Sequence, residues 1–353
     1  MRNALRRFEV DLLLGIAFLA INIPTACCVG QSSVHSFVSD NNATLRSDEL
    51  DCEAGNVRYP SSPQTACDEL RLPDSCLANR SGIGEDRGTW IAFAGIDGSK
   101  QPQDLGVNAH FGGRVAINYG RTLFENSGLG IQMGTAITAT GNAVQVLERI
   151  EGTSDRFQSF STIGFFQRRH TDWSWAAGYD FLYQDYVGQA LLGQWRGQLS
   201  RQVSDQNELG MQVAISSQDD QIRFLNDWVQ LKPLTYGRLT WRHYWESAAF
   251  TTAWVGLAES HSETNVALGD LPAAGRQVLF GADFRAPLNR QVALYGEANF
   301  LMPADTGSVD AFLGMEFATG RSTSRCRWTR SRPLLPLAGN RSFIVDGRRV
   351  SVH

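Results

Sequence analysis

The alternation that decides the fold is clearest in residues 173–183, which read WSWAAGYDFLY. Every second side chain from Trp173 to Tyr183 is apolar, and the positions between them are mostly small or polar. A period of two is the pattern of an extended strand with one apolar face. Similar segments recur from residue 88 to residue 318, separated by Gly, Asn, Asp or Pro. This part of the chain is therefore predicted to form an antiparallel sheet.

Composition and charge support an all-β protein. The chain has 353 residues with 42% hydrophobic, 10% aromatic and 19% charged residues, and 34 glycines. Globular proteins average about 25% charged residues, so this chain is poor in charge and rich in strand-forming aromatics. Its net charge of -4 gives no reason to expect a nucleic-acid partner.

The polar rows of the strands suggest that they face an enclosed space. In residues 107–119 the even positions include Asn108, His110, Arg114 and Asn118, a set that is sparsely charged. A soluble barrel would instead show abundant charge on its polar face. We therefore expect the apolar rows to contact lipid and the polar rows to line a tube. The aromatic residues predicted to form a girdle at the lipid boundary are Trp173, Trp175, Tyr179, Tyr183 and Trp195.

Counting strands tests whether the sheet closes. Twelve segments are predicted, and short connectors mostly alternate with longer ones, as in a barrel that crosses a membrane. The predicted strands are 88–96, 105–121, 128–140, 156–169, 172–186, 187–203, 206–218, 228–245, 248–260, 275–288, 290–302 and 308–318.

Residues 88–318 resemble bacterial outer-membrane β-barrel proteins in this architecture. The resemblance implies a closed, up-and-down transmembrane β-barrel, a lipid bilayer as partner and location in the cell outer membrane. Gly314-Met315-Glu316-Phe317 resembles the terminal aromatic signal of that class. One departure is that 36 residues follow Phe317.

The segments before the barrel have their own signatures. Residues 1–30 are predicted to be a signal peptide, since arginines precede a short apolar core, although a membrane-anchoring helix is the competing interpretation. Residues 31–87 are predicted to be a periplasmic linker or cap. Their three cysteines, Cys52, Cys67 and Cys76, favour disulfides over a metal site.

The segment after the barrel, 319–353, is rich in arginine. It contains eight arginines and one acidic residue, Asp346. A solvated periplasmic extension is the simplest interpretation, and binding to an anionic polymer or lipid is the alternative. Its apolar patches, 334–337 and 343–345, could dock on the barrel mouth.

Charged residues of the polar rows are the candidate functional residues. A ring of such side chains can filter solutes in a pore, or it can fill a narrow barrel with ion pairs. The residues predicted to line this lumen or constriction are Arg114, Asp180, Arg238, Arg242, Asp283, Arg285, Glu297 and Glu316, with Arg196 nearby.

The predicted function is a passive pore for small solutes or a structural surface protein. A soluble exported barrel or sandwich that binds a small ligand is the first alternative. An outer-membrane hydrolase is the second, but His110, His170, His243 and the pair His261-Ser262 lie in no recognisable catalytic motif. We therefore predict no enzyme activity, metal or cofactor. The oligomeric state is not predicted.

Overall fold

The computed structural model describes most of the chain after residue 87. The described residues are 88–104, 109–124, 126–142, 155–168, 172–186, 188–224, 227–259, 276–289, 291–302, 307–319 and 331–350. The predicted signal peptide and the cysteine-containing linker lie outside them. None of the described residues form a helix that is long and apolar enough to cross a membrane.

Twelve antiparallel strands form a closed barrel. Neighbouring strands pair in order around it. The strand that ends at Gln218 pairs with the one that begins at Tyr236, and the first strand closes the sheet by pairing with the one that begins at Ser308. The predicted fold, a closed barrel of twelve strands, is thus confirmed. The barrel strands are β1 (Thr89–Lys100), β2 (His110–Phe124), β3 (Leu129–Asn142), β4 (Arg156–Arg168), β5 (Trp173–Asp185), β6 (Gln189–Ser204), β7 (Asn207–Gln218), β10 (Tyr236–Tyr244), β11 (Phe250–Ala258), β12 (Gln277–Pro287), β13 (Val292–Met302) and β14 (Ser308–Ala318).

A second sheet of three strands is separate from the barrel sheet, and its residues Ile222 and Val229 pack in one apolar cluster with Leu182 and Leu192 of the barrel's inner face. Its strands are β8 (Asp220–Phe224), β9 (Asp227–Pro233) and β15 (Val345–Val350), in the order β15-β9-β8. The single strand predicted over 228–245 is therefore wrong. It is two strands, β9 and β10, because the chain leaves the barrel after β7 and returns at Tyr236.

The outer wall of the barrel is apolar. Side chains of the apolar rows, among them Phe111, Val115, Ile163, Val255 and Leu313, are exposed all round it. An apolar band of this extent is characteristic of a surface that lipid covers. The inner rows are buried and mostly polar, with a few apolar residues such as Leu182, Leu279 and Leu301, because a barrel alternates outward and inward side chains along every strand. The protein is a membrane β-barrel.

The C-terminal segment runs through the barrel. Ser331 Oγ lies 2.9 Å from Thr89 Oγ1 at the end where the short turns are, which we call the short-turn end. At the opposite, long-loop end, the Leu234 amide donates to the Ile344 carbonyl, and β15 pairs with β9. Nearly all of residues 331–347 are buried. The expectation of a solvated extension is wrong for these residues, because the lumen offers polar partners along their whole length.

Candidate functional site

The candidate site is the lumen, which residues 331–344 fill; we call these residues the lumenal segment. Gln132, on β3, recognises the main chain of this segment. Its Oε1 accepts hydrogen bonds from the Leu334 and Leu335 amides, each 3.0 Å long, and its Nε2 donates to the Leu335 carbonyl at 3.1 Å. A buried backbone amide or carbonyl needs such a partner, and one glutamine supplies three.

Other strands contribute in the same way. The Ala338 amide donates to Thr162 Oγ1 at 3.1 Å, and Arg196 donates to the Pro336 carbonyl at 2.7 Å. The Ser342 carbonyl accepts from Gln194 at 2.8 Å and from the Tyr236 hydroxyl at 3.0 Å. The lumen wall therefore provides a hydrogen-bonded cradle for an extended peptide.

Arg341 is the most strongly held side chain of the lumenal segment. One of its terminal nitrogens (Nη1) lies 2.7 Å from Asp283 Oδ2 and 3.1 Å from Glu297 Oε2. Its guanidinium also lies over the Trp254 ring, 5.2 Å from the centroid. We call Trp254, Asp283, Tyr295 and Glu297 the arginine pocket. Two buried carboxylates and an aromatic face are a suitable environment for a buried guanidinium.

The arginine pocket is linked to further charges. Glu297 also accepts from Arg114 at 2.8 Å and from the Tyr295 hydroxyl at 2.6 Å. Arg114 in turn lies 3.5 Å from Asp97. Glu297 thus has three donors, whereas the Oδ1 atom of Asp283 has no hydrogen-bond partner within the described part of the chain.

The other predicted lumen residues are paired as follows. Arg285 and Arg332 both contact Glu316, at 2.8 and 3.3 Å, near the short-turn end. Asp180 pairs with Arg196 at 2.9 Å in the middle of the wall. Arg238 donates to Gln212 at 2.8 Å, and Arg242 lies 3.8 Å from Glu208. All eight predicted residues are on the inner face and are distributed along the lumen. Asp180, Arg238 and Arg242 contact other residues of the wall, and the remaining five contact one another or the lumenal segment.

The space beside Arg341 is small. A cavity beside Arg341 has a volume of about 10 Å³, which is room for about one water molecule. Glycines on the wall allow the lumenal segment to pack close to the barrel strands. A Cβ atom at Gly120 would lie 2.4 Å from the Ser331 carbonyl oxygen and 2.8 Å from the Pro333 ring, and one at Gly134 would lie 2.8 Å from a Leu337 methyl. The small residues of the polar rows are therefore needed where the segment passes.

A buried ionic cluster lies at the long-loop end. Arg156 donates to both carboxylate oxygens of Asp104 at 3.1 Å, and His110 Nε2 lies 3.5 Å from the same group. Burial raises the pKa of the Asp104 carboxyl, but the Arg156 guanidinium and His110 outweigh burial and hold that pKa below its ordinary value. The cluster fixes the short 3-10 helix Pro102–Asp104 against the barrel wall.

The predicted girdle residues all lie on the outer face. Trp175, Tyr183 and Trp195 are exposed, and Trp173 and Tyr179 are half-buried. Tyr179 and Trp195 are cross-strand partners near the middle of β5 and β6, so they stand within the apolar band and not at its edge. Trp173 begins β5 at the short-turn end, where a girdle residue is expected.

Two of the histidines, His110 and His243, lie within the described residues. His243 Nδ1 lies 3.0 Å from Asn207 Oδ1 on the outer wall, and the Asn207 amide nitrogen donates to Ser204 Oγ, so the serine contacts the asparagine. Among the described residues neither His110 nor His243 hydrogen-bonds to a serine, which a serine nucleophile requires. His170 and the pair His261-Ser262 lie outside the described residues.

Sequence reasoning missed the uncharged half of the site. Gln101, Gln132 and Gln194 bond the lumenal segment but carry no charge, so a search for charged constriction residues passes over them. The sequence did contain one signal of a buried segment, the apolar patches 334–337 and 343–345, because apolar side chains are stabilised by burial.

The solved structures that this chain resembles include two porins and an outer membrane phospholipase, all of low sequence identity. A KdgM porin is 8% identical with a TM-score of 0.36, covering 65% of this chain and 98% of the porin. A NanC porin is 10% identical with a TM-score of 0.40, covering 64% and 98%. The outer membrane phospholipase A from Escherichia coli is 8% identical with a TM-score of 0.38, covering 64% and 95%. The predicted barrel architecture is confirmed by the strand pairing of this chain itself, a closed barrel of twelve antiparallel strands. No curated protein matches the sequence.

One protein family matches this sequence. It is described as a family of unknown function, and its model matches residues 89–345. The matched range begins at the first residue of β1 and ends at the first residue of β15, so it includes the lumenal segment together with the barrel. Since more than half of the chain is matched, the protein belongs to the DUF6666 family.

Proposed function

We propose that the protein is an outer-membrane β-barrel that its own C-terminal segment keeps closed, so that it acts as a structural surface protein. The observation that carries this proposal is the burial of Arg341 between Asp283 and Glu297. Those carboxylates are the residues that would filter solutes in an open pore, and here they hold a side chain of the same chain.

Packing along the lumen supports the closed state. Phe343 packs against Phe160, with ring centroids 6.1 Å apart, and Ile344 packs among Leu279 and Leu301. Leu335 contacts Phe166. Apolar contacts of this kind exclude water from the path that a solute would take.

The experiment is reconstitution of the full chain in planar bilayers. We expect no stepwise conductance, with a detergent-only reconstitution as the negative control and an open porin as the positive control. Stepwise openings of the unmodified protein would contradict closure. Membrane fractionation with a comparison of boiled and unboiled gel mobility tests the outer-membrane location separately.

A gated pore is the second candidate. It is favoured by the charged side chains of the wall that contact other wall residues and not the lumenal segment, such as Arg242 with Glu208. If the unmodified protein conducts, Arg238→Ala and Arg242→Ala are expected to change its ion selectivity. Unchanged selectivity would remove these residues from the pathway.

A further inference from the structure

Six polar side chains of the barrel contact the main chain of the C-terminal segment between Leu334 and Val345. Main-chain amides and carbonyls are the same in almost every residue, so these hydrogen bonds impose an extended path and select no particular sequence. The six side chains are Gln101, Gln132, Thr162, Gln194, Arg196 and Tyr236.

The lumen can distinguish one peptide sequence from another only at the few places where it contacts side chains of the segment. The arginine pocket pairs a cation with Asp283 and Glu297, and apolar sites receive Leu335, Phe343 and Ile344. A main-chain cradle with one charged pocket is how a protein recognises a peptide of loosely defined sequence.

We propose that the lumen is a binding site for an extended peptide that carries a basic residue, and that residues 331–350 are its tethered occupant. This goes beyond the closed state, because it assigns the lumen a ligand class. A tethered segment competes at an effective concentration of about millimolar, so the unmodified chain excludes a free peptide. A substitution that weakens the binding of the tethered segment to the lumen should allow a free peptide to bind there.

The experiment uses the full chain with Arg341→Ala in detergent micelles and a fluorescein-labelled peptide with the sequence of residues 331–350. We expect this variant to bind the peptide at least about 10-fold more tightly than the unmodified protein does, because its own segment has lost the buried charge pair. Fluorescence anisotropy measures the binding.

Variant peptides test the pocket. Alanine at the position of Arg341 should weaken binding by about 10-fold or more, and lysine there should retain part of the affinity because it keeps the charge. A peptide of the same composition in scrambled order, with the arginine moved, is the matched control and should bind weakly.

A second variant guards against failure of the first to fold. Gly120→Val crowds Ser331 and Pro333 at the short-turn end and leaves the arginine pocket intact. A peptide of residues 334–350, which lacks the crowded residues, should bind this variant. Gly113→Val is its control, because among the described residues the nearest atom to a Cβ at Gly113 is the Gly95 carbonyl oxygen, at 3.8 Å.

Three results overturn the proposal. The first is a folded Arg341→Ala or Gly120→Val protein that binds no more peptide than the unmodified chain. The second is equal binding of the peptides with arginine and with alanine. The third is failure of both variants to fold even when the peptide is present, which would make the segment an integral part of the barrel. Folding that depends on added peptide would support the proposal. The conductance of the unmodified chain is a separate measurement, so closure can fail while peptide binding holds.

Discussion

Removal of the Arg341 side chain is the most informative test of how the lumenal segment is held. Arg341→Ala takes one donor from Glu297, which keeps Arg114 at 2.8 Å and the Tyr295 hydroxyl at 2.6 Å. Asp283 loses the only hydrogen bond that its carboxylate makes within the described residues. The loss of folding stability in Arg341→Ala therefore comes mainly from leaving the Asp283 carboxylate buried without its hydrogen-bond partner.

That cost can be bounded. Removing one partner of a buried ion pair costs roughly 3–5 kcal/mol, and the second partners of Glu297 place this case at the lower end, about 3 kcal/mol. Adding Asp283→Asn removes the stranded charge, so the double variant should recover about 2 kcal/mol of that loss. Arg332→Ala is the matched control. It should cost about 1 kcal/mol or less, because Arg332 is half-buried and Glu316 keeps Arg285.

The assay is urea unfolding of each variant in lipid vesicles, followed by tryptophan fluorescence. The free energy of unfolding is compared between the unmodified protein, the two single variants at positions 283 and 341, their double variant and Arg332→Ala. If Arg341→Ala is no less stable than Arg332→Ala, or if Asp283→Asn recovers nothing, the arginine pocket does not hold the segment as argued.

Three further predictions follow from other parts of the molecule. Gly120→Val should displace the start of the lumenal segment and give stepwise conductance in planar bilayers. The barrel with Gly113→Val, a substitution on the outer face of the same strand, should stay closed. Equal conductance of the two variants would refute this prediction. The ion pair of Asp104 with Arg156 should persist at pH values below the ordinary pKa of aspartate, because the pKa of Asp104 is lowered in the folded protein. Its contribution to stability is fully present above the pKa of Asp104 in the unfolded chain, and it is lost as the pH falls through the pKa of Asp104 in the folded protein. An acid titration of tryptophan fluorescence, compared with Asp104→Asn, checks this, and identical acid midpoints would contradict it. Ile163→Arg should cost about 2–4 kcal/mol of stability in vesicles, since Ile163 is an exposed residue of the apolar band, while Ile163→Leu should cost little; a tolerated arginine there would mean that lipid does not cover this face.

The barrel itself was predictable from local pattern. Alternation with period two, as in residues 173–183, shows which side chains share a face of the strand. The composition of the polar face then indicates whether that face contacts bulk water or lines an enclosed space. Twelve segments and their short turns then imply closure. The boundary near residue 233 was not predictable, because β9 and β10 differ in their partners and not in their pattern: β9 pairs with β8 and β15, and β10 pairs with β7 and β11.

The contents of the lumen were beyond the reach of local pattern. Gln132 and Leu335 are 203 positions apart, and no period in the sequence relates them. Arg341 looked like part of a solvated basic run, since seven other arginines lie in the same segment. Its role depends on Asp283 and Glu297, which reach it only after the barrel has closed.

The sequence alone therefore determined most of the strands and their inward and outward faces, because those depend on neighbours along the chain. It indicated the closed sheet only through the strand count, since closure is made by β1 and β14, at opposite ends of the barrel sequence. Only the tertiary structure decided whether the tube is open. The polar rows are equally suited to water and to a peptide, since both offer donors and acceptors for the same side chains. The selection of the chain's own C-terminal segment required long-range contacts at Gly120, Gln132 and the arginine pocket to coincide along one path.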